Sequence, residues 1–172
     1  MKPITIELDP NSFDKAIAEI EKYRQGLQNK LKILIGRLVQ DGVDIARIRV
    51  SASQGDSTKA YVDYLVDSTG DIIKARVFLQ GAEALFIEFG AGIAYNTGVQ
   101  HPNADEFGFG PGTYPSKHPP NKAIIPGFWF YRDENKNLHK SLGTEATMPM
   151  FYAANTIRNN LIQKAIEEFM RG

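Results

Sequence analysis

The sequence contains no cysteine. Disulfide staples, thiolate nucleophiles and cysteine-ligated zinc are therefore excluded. It also lacks a surplus of charge of either sign, because 20 Lys and Arg balance 20 Asp and Glu. A chain of zero net charge has no long-range field to draw it to nucleic acid or to an anionic bilayer, which weighs against a DNA-binding role. No apolar run approaches the length that spans a bilayer. The opening "MKPITIELDP" holds no apolar stretch of the signal-peptide kind. The expectation is a soluble protein made in a cytoplasm, with no membrane partner. No internal repeat or low-complexity tract is visible.

What is present is an ordinary globular composition, 42% apolar and 23% charged over 172 residues. That length suits a single domain, residues 1–172, able to bury a core without staples. "ITIEL" at residues 4–8 alternates and reads as a short strand. Asn11 or Ser12 then suits a helix N-cap, with Asp14 near the first turn. Phe13, Ile17, Ile20, Leu27, Leu31, Leu34 and Leu38 recur at steps of three and four, with Arg24 as the polar exception. This is the apolar stripe of a long amphipathic helix. Gly26 and Gly36 are candidate kinks, and Gly42 is the best stop signal, although helix could resume through Ala46.

From Ala60 the period changes to two. Ala60, Val62, Tyr64 and Val66 share one face, and after the turn "DSTGD" so do Ile73, Ala75, Val77 and Leu79. This predicts a hairpin with one packed face. "ALFIEF" at residues 84–89 is expected to be a third strand. "AIIPGFWFYRD", the turn "DENKN" and "LHKSLG" suggest a further strand or two. Thr147 is the expected cap of a last helix, with Pro149 in its first turn and a stripe of Met150, Ala154, Ile157, Leu161, Ala165 and Phe169. The predicted fold class is α+β. An antiparallel sheet of about four to five strands would carry the long N-terminal helix and the C-terminal helix on one face.

Between these parts lies a long Gly/Pro-rich loop, at about residues 90–122. It carries Gly at 90, 92, 98, 108, 110 and 112 and Pro at 102, 111, 115, 119 and 120. Long irregular loops in compact domains are usually functional or disordered. "GFGPG" at residues 108–112 resembles a phosphate-binding turn, but the prolines of "TYPSKHPP" forbid the helix such a loop needs. Glycines that allow another backbone close approach are the better explanation.

Glu88 stands out because it sits among Leu85, Phe86, Ile87 and Phe89. One reading is a carboxyl that works as acid or base. The favoured one is a structural Glu accepting amides at residues 90–92 or facing a partner, since no second carboxylate lies at a fixed nearby spacing. His101, Asp105, Glu106 and His118 could ligate a metal, but their spacing matches no metal motif, and solvated loop residues are the better account. No G-x-S-x-G elbow supports a serine nucleophile. The basic run from Lys22 to Lys32 reads as the solvated face of the first helix. Phe128, Trp129, Phe130 and Tyr131 are consecutive aromatics. On a strand they point both ways, so one pair needs cover from the loop or from a second subunit.

"FIEFGAG", followed by the Gly/Pro loop, resembles a phage family: the head-to-tail joining or tail-completion proteins of long-tailed phages, gene product ten-like. The order of elements is similar over most of the chain, and the specific motifs are "IEFGAG" (Ile87, Glu88, Phe89, Gly90, Ala91, Gly92) and "ATMPMFYAA". The resemblance implies a non-enzymatic structural protein without cofactors. Its copies would form a ring at the neck of the virion, bound to other neck and tail proteins, after assembly in the host cytoplasm. The loop would then be a contact element carrying Tyr95, Phe107, Phe109, Gly110, Pro111 and Tyr114. The rival expectations are a small metal-dependent hydrolase using Glu88 with His101 or His118, a nucleic-acid-binding module, and a toxin or immunity partner.

Overall fold

The computed structural model describes residues 10–53, 60–90, 101–103, 106, 129–132, 135–141 and 144–170. The strand expected at residues 4–8 lies outside them.

Helix α1 runs from Pro10 to Ser51. Neither Gly26, Gly36 nor Gly42 ends it, which corrects the expected stop. The reason is tertiary. A Cβ built on Gly42 would stand 2.7 Å from Ile157 Cδ1 and 3.5 Å from Val77 Cγ2. At Gly42 side chains of a second helix and of a strand come close to the α1 backbone, and this packing compensates the poor helix propensity of glycine. In its C-terminal half, α1 buries Leu34, Leu38, Val39, Val43, Ala46 and Val50. In its N-terminal half, the side chains of Phe13, Ile17 and Ile20 stay about half exposed.

The hairpin forms as the period-two pattern requires. Strand β1 (Tyr61–Thr69) pairs antiparallel with β2 (Ile72–Gln80). The register sets Val62 opposite Leu79, Tyr64 opposite Val77 and Val66 opposite Ala75, so the predicted residues share a face, but on β1 only Val62 is buried, while Tyr64 and Val66 are 47% and 44% exposed. Gly70, at the first position of the two-residue connection, takes φ +60, as II′-type hairpin turns require. Ala75, Val77 and Leu79 pack on a core of Val39, Val43, Ala46, Val50, Ala60, Val62, Ile87 and Ala153. Burying one valine of this kind is worth roughly 1.5–3 kcal/mol.

The run "ALFIEF" is helix α2 (Ala84–Phe89), not a strand. A short apolar run bounded by turns fits either state, and periodicity alone does not separate them. Here Gly81, at φ +119, ends β2 and turns the chain. The amides of Ile87 and Gly90 then bond to the carbonyls of Glu83 (2.9 Å) and Phe86 (2.8 Å). The second hairpin is present: β3 (Trp129–Arg132) pairs antiparallel with β4 (Leu138–Ser141). Among the described residues the strands make two separate two-stranded sheets rather than one sheet of four or five. The fold is therefore α+β, with the long N-terminal helix, the C-terminal helix and the hairpins as expected, a helix in place of the third strand, and a smaller sheet.

Helix α3 (Pro149–Met170) lies antiparallel to α1. Arg49 stacks on the Tyr152 ring at 3.6 Å, Gly42 meets Ile157, Asp41 meets Lys164 at 2.7 Å and Arg37 meets Glu167 at 2.8 Å. The buried face of α3 is centred on Ala153, with Ala154 exposed, so the expected stripe is rotated. Leu161 is 45% exposed, because beyond Ile157 the face that meets α1 is polar: Asn160, Lys164 and Glu167.

Candidate functional site

The motif at residues 87–90 forms the junction between α2 and the start of α3, and each of its four residues has a separate physical task. Ile87 is fully buried in the core, and its carbonyl accepts the amides of Thr147 (3.0 Å) and Met148 (3.4 Å). Glu88 is also buried, at 6% exposed. Its Oε2 accepts the amide of Met150 at 2.7 Å, and its Oε1 accepts the amide of Phe151 at 2.9 Å. These are first-turn amides of α3, which have no partner within the helix. Pro149, the first helical residue, brings no amide and needs none. A carboxylate at this place also meets the positive end of the helix dipole.

Thr147 is therefore not the cap that the sequence suggests. Among the described residues its Oγ1 is buried without a hydrogen-bond partner. Met148 takes φ +54, an uncommon conformation for a non-glycine residue. The tight bend delivers the helix start onto Glu88, and the charged cap offsets the backbone strain.

His101 completes the site. It is 7% exposed, and its Nε2 lies 3.1 Å from Glu88 Oε1. Its Nδ1 accepts the amide of Asn103 at 3.0 Å. An Nδ1 that accepts carries no proton, so the Nε2–H tautomer faces Glu88 and donates to it. The ring stands edge-on to Phe89 (4.5 Å between centroids) and Phe151 (5.4 Å). Phe89, the third residue of the motif, thus forms one wall of the histidine's slot. Gly90 takes φ +75, and a Cβ there would come within 3.2 Å of Thr144 O and 3.1 Å of Ala146 N. Only glycine suits both the conformation and the space.

The expected site residues divide accordingly. Ile87, Glu88, Phe89 and Gly90 are brought together with His101. Ala91, Gly92, Tyr95, Phe107, Phe109, Gly110, Pro111 and Tyr114 lie outside the described residues, as do Asp105 and His118. Glu106 is exposed. The amides that Glu88 accepts are those of Met150 and Phe151 rather than those of residues 90–92. Among the described residues no group of three or more His, Asp or Glu side chains could hold a metal ion. None of their helices is long and apolar enough to cross a membrane.

Sequence reasoning singled out Glu88 but missed the Met150 and Phe151 amides as its partners, and the Asn103 amide as the partner of His101. The pattern Met148-Pro149-Met150, a helix start with no Ser, Thr, Asp or Asn at the capping position, was the available signal that the cap comes from elsewhere in the chain. The arrangement can fix a helix start and anchor the chain at residues 101–103. Both carboxylate oxygens and both imidazole nitrogens are engaged in doing so.

Comparison with protein-family models, with curated proteins and with solved structures found no match.

Proposed function

We propose that this chain is a structural, non-enzymatic subunit of the neck of a long-tailed phage, joining the head connector to the tail as a member of a ring. The observation that carries this reading is the use made of Glu88. The one ionisable group in "IEFG" is bound by two helix amides and a histidine, so the motif serves architecture. The same motif is where the chain resembles the head-to-tail joining proteins. Exposed apolar side chains support assembly as well: Phe13, Ile17, Ile20, Leu65, Ile162 and Met170 are each between 47% and 78% exposed. In this reading other neck and tail proteins are the partners, and the mature location is the virion.

Light scattering over a range of concentrations, with imaging of the particles at the highest, tests it. Rings or discrete ring-sized multimers, alone or on a purified neighbouring ring, are the expected result. Failure to join any neck component would remove the reading.

A second reading has one observation in its favour, the 3.1 Å contact between His101 and Glu88. A carboxylate paired with an imidazole is a common acid–base arrangement. As a metal-dependent hydrolase the protein would hold stoichiometric zinc and would show a turnover reaction lost in Glu88→Ala. Metal analysis of the purified protein separates the two.

A further inference from the structure

His101 holds the chain at one point more than the helix cap requires. Glu88 satisfies the two α3 amides by itself, Met150 through Oε2 and Phe151 through Oε1. What depends on the imidazole is the backbone at residues 101–103, because the Asn103 amide donates to Nδ1 at 3.0 Å. The ring therefore joins two unlike partners. At Nε2 it meets a carboxylate, 3.1 Å away. At Nδ1 it meets a donor.

These two contacts respond in opposite ways to one proton. A neutral imidazole donates through one nitrogen and accepts through the other, whereas imidazolium donates through both and accepts through neither. Positive charge strengthens the bond to the Glu88 carboxylate. The same proton, entering at Nδ1, sets N–H against N–H at Asn103. A backbone amide nitrogen offers only its donor, so the pair cannot reverse its roles. Turning the ring over about its Cβ–Cγ bond puts a carbon where each nitrogen stood, which repairs nothing. Phe89 and Phe151 stand edge-on to the ring at 4.5 and 5.4 Å and restrict any other movement in the slot.

Among the described residues, the groups packed near the ring do not alter this. Helix α2 presents Glu88, and α3 presents Phe151 and backbone amides. On α1, Arg49 stacks on Tyr152, which stands edge-on to Phe151 at 5.5 Å, so this cation is engaged one ring removed from the slot. In the bend before α3, Glu145 is exposed.

We infer that His101 is an acid-released latch. The neutral ring fastens residues 101–103 to the Glu88 site, and protonation frees the Asn103 amide while the cap of α3 stays in place. Imidazoles as a class change charge between about pH 5 and 8, above the range in which carboxylates protonate. Residues 101–103 belong to the Gly/Pro-rich stretch, so the latch governs how one part of that stretch is held. It goes beyond the neck reading and does not depend on it.

The test follows two signals in the native full chain from about pH 8 to about pH 5. Nitrogen NMR on protein with isotope-labelled imidazoles reads the protons of His101, identified by its proximity to the Phe89 and Phe151 ring protons. Amide hydrogen exchange, corrected for the intrinsic effect of pH on the rate, reads protection at Asn103, Met150 and Phe151. The expected result is a bare Nδ1 at the upper end and two protonated nitrogens at the lower. Protection at Asn103 falls about fivefold to tenfold with the same midpoint, the worth of one hydrogen bond. Met150 and Phe151 keep theirs. In His101→Gln, whose amide donates and accepts without titrating, protection at Asn103 stays level across the range. The inference is overturned by constant protection at Asn103 while the ring titrates, or by a ring that keeps a single proton throughout. Equal losses at all three amides mean general opening and overturn it too. A loss at Asn103 that persists in His101→Gln assigns the effect to another group. The signals of the native protein decide the matter even if that variant does not fold.

Discussion

The carboxylate of Glu88 accepts the amide of Met150 at 2.7 Å, across 62 residues of sequence. A helix start in this protein is therefore capped by the end of another helix, and that contact sets the following expectations.

Glu88→Gln keeps the size of the side chain but presents one NH₂ donor to groups that are themselves donors. Only one oxygen is left for the Met150 and Phe151 amides and His101 Nε2–H. Lost charge-assisted bonds and an unmatched buried donor should lower stability by about 2–3 kcal/mol. Urea unfolding followed by circular dichroism checks this. A midpoint within error of the native value would show that the cap is not energetically used.

His101→Ala removes the donor to Glu88 Oε1 and the acceptor of the Asn103 amide, and opens the slot between Phe89 and Phe151. The loss should be about 1–3 kcal/mol. The two Glu88–amide bonds remain, so the helical signal at neutral pH stays native. Amide hydrogen exchange should show faster exchange at Asn103 and little change at Met150 and Phe151. Equal loss of protection at all three would mean that cap and loop anchor form a single cooperative unit.

The glycines of α1 should divide by their surroundings. A Cβ at Gly26 or Gly36 meets nothing within 4 Å, so Gly26→Ala and Gly36→Ala should each stabilise by up to about 1 kcal/mol through helix propensity. At Gly42 the Cβ meets the movable end of Ile157, and Gly42→Ala should gain less or nothing. Gly42→Val should destabilise by about 1–3 kcal/mol through overpacking. Thermal melts of the four variants give the order directly.

Asp41 ties α1 to α3 through Lys164 and Asn160. Partial burial pushes its pKa up, but the bonds from Lys164 and Asn160 and the charges of Lys164 and Arg37 outweigh it, so the pKa lies below the ordinary aspartate value. A carboxylate depressed in the folded state contributes fully above its unfolded pKa and loses that contribution as pH falls through the folded one. The window is therefore acidic, below about pH 4. Asp41→Asn should cost about 1 kcal/mol at pH 7, discounted for solvent screening, and progressively less below pH 4. A pH-independent difference between the two proteins would exclude this linkage.

The first hairpin and its apolar face were legible in the sequence, because two alternating runs flank "DSTGD"; the register was not, since a slip of two residues keeps the same face, and the two-residue turn at Gly70 and Asp71 is what fixes it. The long helix was legible as a stripe, but its end was not. Gly42 carries a stop signal locally and a contact with Ile157 globally, and sequence shows only the first. Residues 84–89 were misread because six apolar-rich residues carry too little periodicity to choose between helix and strand. On α3 the stripe through Ala154 and Leu161 lost to one through Ala153, since the helix meets α1 through Asn160 and Lys164, polar residues that a hydrophobic count passes over. At the site, Glu88 was conspicuous as a carboxylate among apolar neighbours. Its partners were not, because a cap supplied from a distant segment leaves no local spacing to read.

The antiparallel seating of α3 on α1 also has a consequence for synthesis. Ala153 belongs to the core of Val39, Val43 and Ala46, and the amides that bind Glu88 belong to residues 150 and 151. A nascent chain that has emerged only as far as Ser141 holds its long helix and first hairpin without the piece that closes them. Its apolar face must wait, open, for more than a hundred residues after Val39 has left the ribosome. Closure then spans nearly the whole chain in one step, so folding should be slow for so helical a protein and should depend on what shields that face in the meantime.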